Sequence, residues 1–442
     1  MKRYLAFLSL ALALVACSKV TLSDDNPFDD PQDNSGKVPT VSDPISVTSP
    51  EPKAGSIRMI SLTPEQQDFS AESNAFAFKS LAQLYKQSAH SFVYSPLSVQ
   101  YALAMAVNGA SGGTAAEITR ALGFGSDVEA LNAYCNLLMN QLPAVDPDVV
   151  LKVVDAMLVK EDYPVQEAFR QVLASSYYAP VEYMSFADPM AVLSRINDWA
   201  SRNTNGLINP ILREISPDAV GFIMNALYFK AKWADETLFK PNMTLPRDFT
   251  RKDGNKVKVN MMAAYDYLPY GKFDGFQAVG IPYANGKYSM YVLLPDAGAD
   301  FGKWVAGLDK KDFSTILGGM KKNVNVELLL PKFDVSGDFL LNDVLQAMGI
   351  RLAFDADFAD FSRMFDKPGE SFRISRVIQK AKLSLAEWGT EAAAVTVVEM
   401  EKATSVGPGG ESVKFYANHP FVFVLAENTS GAILFEGVYQ GD

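Results

Sequence analysis

The stretch EWGTEAAAVTVVEMEKATSVGPGGESVKF, residues 387–415, carries the signals of two different structures. Thr390 could cap a helix, with Glu391 in its first turn and three alanines behind it. Residues 395–398, however, form a β-strand pattern, and the glycine-rich composition of residues 405–412 predicts a flexible tail. The segment therefore has no single preferred secondary structure, although well-patterned strands flank it.

The strand that leads into this segment carries one polar residue on its apolar face. In VIQKAKLSLAE, residues 377–387, Gln379 shares a face with alanine, leucine and valine, and two lysines and a serine share the other face. The pattern predicts that Gln379 is buried, where an amide without partners costs about 1–3 kcal/mol. The candidate partners elsewhere in the chain are Asn225, Ser95 and Ser98.

Helical periodicity dominates the first third of the chain. SPLSVQYALAMAVNGA (95–110) and AVLSRINDWASRNTNG (191–206) each place apolar residues on one face. TAAEITRALGF (114–124) begins with Thr114 and Glu117 in the spacing of a capping box. These patterns predict that the first third of the folded region is mainly helical.

Strand patterns dominate the rest of the chain. They are GFIMNALYF (221–229), KYSMYVLLP (287–295), VNVELLLPKF (324–333) and the two apolar runs of PFVFVLAENTSGAILFEG (420–437). The last two runs flank Asn-Thr-Ser-Gly, which predicts a hairpin. The order of elements predicts an α+β fold with large, mainly antiparallel sheets.

The composition limits the class of partner. The chain has 442 residues, 48% of them hydrophobic, and a net charge of -11 without a basic cluster. Because nucleic-acid binding requires concentrated lysine and arginine, no nucleic acid is expected as a partner. No change of composition marks a boundary after about Thr63, so residues 58–442 are predicted to be a single domain.

The N-terminus has the pattern of a secretion signal. A basic start precedes an apolar run over residues 5–15, which is short for a membrane span. LVAC (14–17) resembles the lipobox of bacterial lipoproteins, which implies cleavage before Cys17 and a lipid on its thiol. Residues 1–16 would then be a signal peptide, and residues 17–57 a flexible acidic tether.

These N-terminal features predict where the protein resides. We expect an exported lipoprotein of the bacterial cell envelope, held by its lipid at the outer membrane or cell surface and facing the periplasm or the exterior. An ordinary signal peptide with an incidental cysteine is the alternative. The only other cysteine, Cys135, lies in an apolar helical stretch and is predicted to be a buried small hydrophobe.

The sequence offers little for catalysis. GASGG (109–113) matches the nucleophile-elbow pattern around Ser111, with His90 or His419 as the available bases. A nucleophile elbow follows a strand, whereas a helical pattern precedes Ser111, so loop glycines explain the match better. An exported esterase using Ser111 is therefore a remote alternative. Motifs for zinc, a P-loop or EF-hand calcium are missing from the sequence, so we predict no metal, no cofactor and no enzyme activity.

Several stretches together resemble the serpin family, in order and spacing from about Phe76 to Val438. They are FVYSPLSVQYALAMAVNGASGGTAAEITRALGF (92–124), FIMNALYFKAKW (222–233), VNVELLLPKF (324–333), NHPFVFV (418–424) and GAILFEGVY (431–439). The hinge-like GTEAAAVT (389–396) lies between the third and the fourth of these stretches. The resemblance implies a serpin fold for the whole of this region.

By this resemblance, residues 387–412 are the hinge and reactive loop of an irreversible suicide-substrate inhibitor of serine proteases. A protease cleaves the exposed loop, forms an acyl-enzyme, and is trapped when the loop inserts as a strand into the large sheet. The implied partner is the target serine protease in a covalent complex, and the inhibitor itself is expected to be a monomer. The implied hinge residues are Glu387, Gly389, Thr390, Glu391, Ala392, Ala393, Ala394 and Thr396.

The side chains of the hinge suit this mechanism. Gly389 gives backbone freedom where the loop leaves its strand, and no proline interrupts residues 389–403. Four small side chains would turn into the core on insertion: Thr390, Ala392, Ala394 and Thr396. A non-inhibitory binding or carrier protein on the same fold is the alternative.

Counting along the family hinge places the attacked bond between Ala403 and Thr404. An alanine at this position suits elastase-like or subtilisin-like proteases, whose primary pockets take small side chains. Lys402–Ala403 is an alternative bond, which would suit a trypsin-like enzyme, and Met400–Glu401 is a weaker third.

The resemblance also places a polar cluster beneath the strands that open, and it assigns Trp199 to the breach, where the loop enters the sheet. The cluster comprises Ser95, Ser98, Asn225 and Gln379. Gln379 stands where the family usually has histidine. We expect Gln379 to pair with Asn225 and Ser95, and to make opening less sensitive to pH in the range where histidine titrates. Trp388, where the family tends to have a polar residue, is expected to anchor the base of the loop.

Overall fold

In a computed structural model of the protein, the residues described are 56–308, 313–390 and 412–442. The helices are α1 (Pro64–Gln87), α2 (Pro96–Asn108), α3 (Gly112–Ala121), α4 (Val128–Gln141), α5 (Glu167–Tyr177), α6 (Pro189–Asn203), α7 (Phe301–Ala306), α8 (Phe313–Gly319) and α9 (Asn342–Ala347). The strands are β1 (Phe92–Tyr94), β2 (Val150–Lys160), β3 (Val181–Met184), β4 (Gly221–Lys232), β5 (Leu245–Thr250), β6 (Lys256–Phe273), β7 (Phe276–Tyr283), β8 (Tyr288–Pro295), β9 (Lys321–Pro331), β10 (Phe333–Leu340), β11 (Ile378–Ala386), β12 (Gly389–Thr390), β13 (Val413–Tyr416), β14 (Phe421–Glu427) and β15 (Ile433–Tyr439).

The strands form two sheets, and the predicted α+β class is confirmed. Among the described residues, one sheet has the order β1-β15-β14-β8-β7-β6-β9-β13, with β5 paired to β6. The other has the order β10-β11-β12-β4-β2-β3. Most pairs are antiparallel, as predicted, but β2 with β3 and β9 with β13 are parallel, so both sheets are mixed. The predicted hairpin is present as the antiparallel pair β14–β15.

Local sequence signals fix most helix starts. Thr63 caps α1 in a capping box with Gln66, and the Ser95 hydroxyl accepts from the backbone N–H of Ser98 at the start of α2. Asp188 caps α6 in the same way, by accepting from the backbone of Met190. Within the described residues, no helix has the length and apolar character needed to cross a membrane.

The capping box predicted for α3 is wrong. The helix begins directly after Ser111, so Thr114 lies inside its first turn. The Thr114 hydroxyl accepts from the backbone N–H of Asp360 (3.0 Å), and the Glu117 carboxylate accepts from the backbone N–H groups of residues 351–352 (2.7 Å each). Both side chains hold a distant loop against α3, because tertiary neighbours compete with the local cap for the same acceptors.

Helices and core residues cover both faces of the strand β4. On one face, Leu227 and Phe229 belong to the main core, and α2 contacts both sheets through β4 and β15. On the other face, α6 packs its buried side chains against Met224 and Ala226. Side chains alternate along a strand, so this arrangement separates the residues of β4 that face α6 from those that face the core.

Candidate functional site

The first residues of the predicted hinge lie in the sheet. Gly389 and Thr390 form β12, which is antiparallel to both β11 and β4. Thr390 lies opposite Leu385 of β11 and Ala231 of β4. The segment after Ala386 therefore turns back and enters the sheet between two strands, at one end of the space that separates them.

Only glycine fits at the start of β12. Gly389 has a φ of +138°, in a region that side chains disfavour. A β-carbon there would lie 2.1 Å from the Ala231 carbonyl oxygen and 2.8 Å from the Lys232 Cα. Both neighbours are backbone atoms of a central strand, so they cannot move aside, and the close approach requires the absence of a side chain.

Thr390 is held by an aromatic pair beneath the sheet. Its side chain is buried, and its hydroxyl hydrogen-bonds with the hydroxyl of Tyr283. The Tyr283 ring stacks on Trp233 with a centroid separation of 4.5 Å. Trp233 in turn donates from Nε1 to the Ala386 carbonyl (2.9 Å) and from its backbone N–H to the Trp388 carbonyl (3.2 Å). The turn from β11 into β12 is thus fixed at both ends by one tryptophan.

A second set of contacts holds the outer side of this turn. The Glu387 carboxylate accepts from the Thr244 hydroxyl (2.9 Å) and from Lys332 Nζ (2.9 Å). Burial alone would raise the pKa of Glu387, but the hydrogen bonds from Lys332 and Thr244 outweigh it and hold that pKa below its usual value. Lys332 Nζ also lies 4.9 Å from the centre of the half-exposed Trp388 ring. Trp388 thereby takes part in holding the loop base.

A cleft begins at Thr390 and runs on between β4 and β11. Within the described part of the chain, no ladder pair joins β4 directly to β11. Two small adjoining cavities of about 20 and 50 Å³ lie there instead, with Leu207, Leu227 and Lys382 among the residues that line both. The first cavity reaches Thr390, and the second reaches Ser95, Ser98, Asn225 and Gln379. The four residues predicted to form a polar cluster thus line the far part of this cleft.

Gln379 ties β11 to the start of α2. It is buried, as its position in the strand predicts, and both ends of its amide are used. Its Oε1 accepts from the Ser95 backbone N–H (3.1 Å), and its Nε2 donates to the Ser95 carbonyl (2.6 Å). The Ser95 hydroxyl donates to the Leu434 carbonyl (2.7 Å). Ser95 is therefore the partner of Gln379, but through its backbone.

The predicted bond from Gln379 to Asn225 is wrong. Asn225 Nδ2 donates instead to Asp155 Oδ1 (2.7 Å), and the two residues lie directly opposite each other in the β2–β4 ladder. Burial raises the pKa of Asp155 to about 7, although the hydrogen bond from Asn225 acts in the opposite direction. Asp155 was not among the residues predicted from the sequence, although an aspartate inside the apolar run VVDAMLV (153–159) is a signal for a buried carboxyl.

A family model described as serpin (serine protease inhibitor) matches residues 71–440. The chain belongs to the serpin family. It is therefore a protease inhibitor of the serpin type and not an enzyme.

Several known proteins align with this serpin over most of its length. An uncharacterised serpin-like protein of Thermococcus kodakarensis is 33% identical over 370 residues, covering 82% of this chain and 83% of that protein. Another from Methanosarcina acetivorans is 31% identical over 376 residues, covering 84% and 87%. The thermophilic serpin tengpin in its native state superposes with a TM-score of 0.76 at 29% identity, covering 88% of this chain and 97% of that chain. The predicted serpin fold is confirmed.

The structure of this serpin corrects the position of the breach tryptophan. Trp199 lies on α6, where it packs with Ala156, Ala200 and Ala226 on the outer side of the sheet. The tryptophan that contacts the turn into β12 is Trp233, the residue directly after β4. Both tryptophans are buried beside the same sheet, so composition and periodicity alone could not assign one of them to the opening.

The nucleophile-elbow match has no supporting geometry. Ser111 follows the helix α2 and its C-terminal turn, and it is the N-cap residue of α3. Both histidines bond elsewhere: His90 Nδ1 lies 2.6 Å from Asp442 Oδ2, and His419 Nε2 lies 2.9 Å from the Pro295 carbonyl. The family excludes the esterase alternative as well.

Cys135 is buried, as predicted, and burial raises the pKa of its thiol. The remaining predicted site residues lie outside the described residues. They are Cys17, Glu391, Ala392, Ala393, Ala394, Thr396, Lys402, Ala403 and Thr404.

Proposed function

We propose that this serpin inhibits serine proteases irreversibly, by inserting its cleaved reactive loop into the cleft between β4 and β11. The observation that carries the proposal is the position of β12. β12 is two residues long and lies between β11 and β4. Beyond it, a cleft continues between the same two strands. A strand added there would find backbone partners on both sides, at a net gain of about 0.5–1.5 kcal/mol for each hydrogen bond.

The register of β12 supports the proposal. Continued along the cleft, it sets Ala392 opposite Phe229 and Leu383, both of which are buried. It sets Ala394 opposite Leu227 and Ala381, which are buried as well. Phe229, Leu383 and Leu227 already fill most of the space at these two levels, so only small residues would fit there without pushing the sheet away from its core.

The same register continues to the polar cluster. It sets Thr396 opposite both Asn225 and Gln379, the two polar residues of β4 and β11 that face the core at this level. A threonine hydroxyl would reach polar side chains there, whereas the alanines before it would reach apolar ones. At each of these positions, the polarity of the hinge side chain would therefore match that of the two residues opposite it.

The proposed reactive bond is Ala403–Thr404, which fits elastase-like or subtilisin-like targets. Lys402–Ala403 is the alternative for a trypsin-like target. Mass spectrometry of one trapped complex identifies the bond, because the new C-terminus of the inhibitor remains esterified to the protease.

We also propose that residues 1–16 are a lipoprotein signal peptide and that Cys17 carries the lipid. The serpin would then act as a monomer, tethered to the outer membrane or the cell surface. The composition of LVAC (14–17) and of residues 17–57 supports this. Cys17→Ala should release the protein from membranes into the soluble fraction, and retention of this variant on membranes would contradict the proposed anchor.

The test of inhibition is a covalent complex with an elastase-like protease on a denaturing gel. Wild type should give a band near the summed mass, and Thr390→Arg should be cleaved without complex. The Thr390 side chain is buried against Tyr283, so an arginine there would place a charge in the core.

Glu391→Arg is the matched control, because the alternation of the strand turns residue 391 to the solvent side. It should still form the complex. Complex formation by Thr390→Arg at the wild-type yield would contradict insertion. Cleavage of wild type without complex at every ratio would favour a non-inhibitory carrier on the same fold.

A further inference from the structure

Asp155 and Asn225 form a polar pair inside an apolar sheet. They lie opposite each other on β2 and β4, with Val154 and Ala156 beside Asp155 in the strand. Asp155 is 1% exposed, and Asn225 Nδ2 donates to its Oδ1 at 2.7 Å. Asn225 also lines the second cavity of the cleft, so the pair connects a buried carboxyl to the wall of that cavity.

One atom of each partner is left without a hydrogen bond among the described residues. These atoms are Asp155 Oδ2 and Asn225 Oδ1, and both are buried. An ionised carboxylate has only acceptors, so the Asn225 amide must turn its N–H towards Asp155. Its oxygen is thereby fixed as a buried acceptor that lacks a donor.

Among the residues that the structure describes, none places a compensating charge beside Asp155. The titratable groups that face it from the packed helices are Tyr101 of α2, Cys135 of α4 and Tyr177 of α5. All of these are neutral when protonated, and burial raises the pKa of each. Burial likewise raises the pKa of Asp155 to about 7, so its charge changes near neutral pH.

We infer that Asp155 is a positioning residue for loop insertion, whose proton decides whether Asn225 Oδ1 is available to the incoming strand. The inference rests on the proposed insertion. When Asp155 is ionised, Asn225 Oδ1 can accept from the hydroxyl that arrives opposite it, which the register of β12 assigns to Thr396. When Asp155 is protonated, its Oδ2–H can donate to Asn225 Oδ1. The resulting acid–amide pair satisfies both buried atoms and closes the site.

Two pH effects with opposite consequences follow. The raised pKa of Asp155 means that its contribution to native stability is fully present below its unfolded pKa of 3.8 and is lost as pH rises through about 7. Insertion, by contrast, should be faster above pH 7, because the acceptor is then free. Gln379 does not titrate, although the family usually has a histidine at its position. Asp155 would therefore make the polar cluster sensitive to pH in place of that histidine.

The test measures how fast a synthetic peptide of residues 391–403, EAAAVTVVEMEKA, anneals to the intact protein on either side of pH 7. For wild type, we expect annealing about two- to tenfold faster above pH 7, the kinetic equivalent of one hydrogen bond. Asp155→Asn should lose this dependence. A peptide with Thr396→Val should lose it on the wild-type protein as well, since it lacks the hydroxyl that Asn225 would accept from.

Glu436→Gln is the matched control variant. Glu436 is an equally buried carboxyl with a raised pKa, but it lies on β15 of the other sheet. This variant should alter the pH dependence of stability and keep that of annealing.

An unchanged pH dependence in Asp155→Asn, or with the Thr396→Val peptide, would overturn the positioning role while leaving insertion intact. If Asp155→Asn does not fold, the Thr396→Val peptide on wild type decides alone. If no peptide anneals at any pH, and loop cleavage does not stabilise the protein, insertion itself is overturned and this role with it.

Discussion

At the scale of single residues, Gly389 determines how the hinge enters the sheet. Its φ of +138° and the Ala231 carbonyl oxygen, 2.1 Å from the position of a β-carbon, both require glycine. Thr390 can lie between β11 and β4 only because the residue before it allows the two backbones to approach. Conformation and close packing therefore demand the same residue for independent reasons.

We expect Gly389→Ala to displace β12 and to destabilise the native state by more than about 1–2 kcal/mol, the cost of the backbone conformation alone. Urea denaturation measures the stability, and the yield of protease complex measures the effect on insertion. Gly254→Ala is the control, because Gly254 also has a positive φ (+84°) but nothing within 4 Å of a built β-carbon. Equal losses in the two variants would show that the contact with Ala231 does not matter.

At the scale of elements, Gln379 joins the last strand before the hinge to the helix that supports the core. It serves both backbone groups of Ser95, at the N-cap of α2. At the far end of the cleft, both ends of the Gln379 amide have hydrogen-bond partners. In the neighbouring Asp155–Asn225 pair, one oxygen of each residue has no partner among the described residues. Movement of β11 away from β4 need not break the bonds of Gln379, since β11 and α2 can remain together.

Gln379→Leu should destabilise the native state by about 1–3 kcal/mol, because it leaves the buried N–H of Ser95 without a partner. The Ser95 carbonyl would keep only the bond from the Val99 N–H (3.4 Å). Gln379→His should be milder above pH 7, since a neutral imidazole can donate to one group and accept from the other.

The imidazolium has no acceptor for the Ser95 N–H, so the pKa of this histidine should lie below about 6.5 in the folded state. Its contribution to stability would then be present above pH 6.5 and lost as pH falls through the folded pKa. Denaturation midpoints against pH measure this. A pH-independent midpoint in Gln379→His, relative to wild type, would contradict the assigned geometry.

At the scale of the whole molecule, the described residues leave the strand position beyond β12 unfilled between β4 and β11. About a dozen further hydrogen-bonded residues could add on the order of 10 kcal/mol, which is comparable with the entire folding stability of a domain. If insertion follows cleavage, as proposed, the native state would be held above its lowest free energy by a kinetic barrier.

Cleavage near Ala403 should therefore raise the thermal unfolding midpoint of wild type by about 10 °C. Scanning calorimetry of the nicked and intact chains measures the shift. Thr390→Arg, nicked at the same bond, should show little of this gain, because the charged side chain stops insertion at its first residue. No rise in the midpoint of nicked wild type would contradict the unfilled strand position.

The local order of the sequence determined the class of the fold and the family. The alternation in residues 377–387 placed Gln379 on the buried face, and the Asn-Thr-Ser-Gly turn set the β14–β15 hairpin. These features depend on neighbours within a few residues, so a single strand or helix suffices to express them.

Only the tertiary structure decided which distant groups meet. It placed Trp233 rather than Trp199 at the turn into β12. It also made Asp155, and not Gln379, the hydrogen-bond partner of Asn225. It also turned Thr114 towards Asp360 rather than to its own helix. Each of these side chains has several chemically equivalent partners in the chain, and strand register and packing alone bring one of them within hydrogen-bond distance.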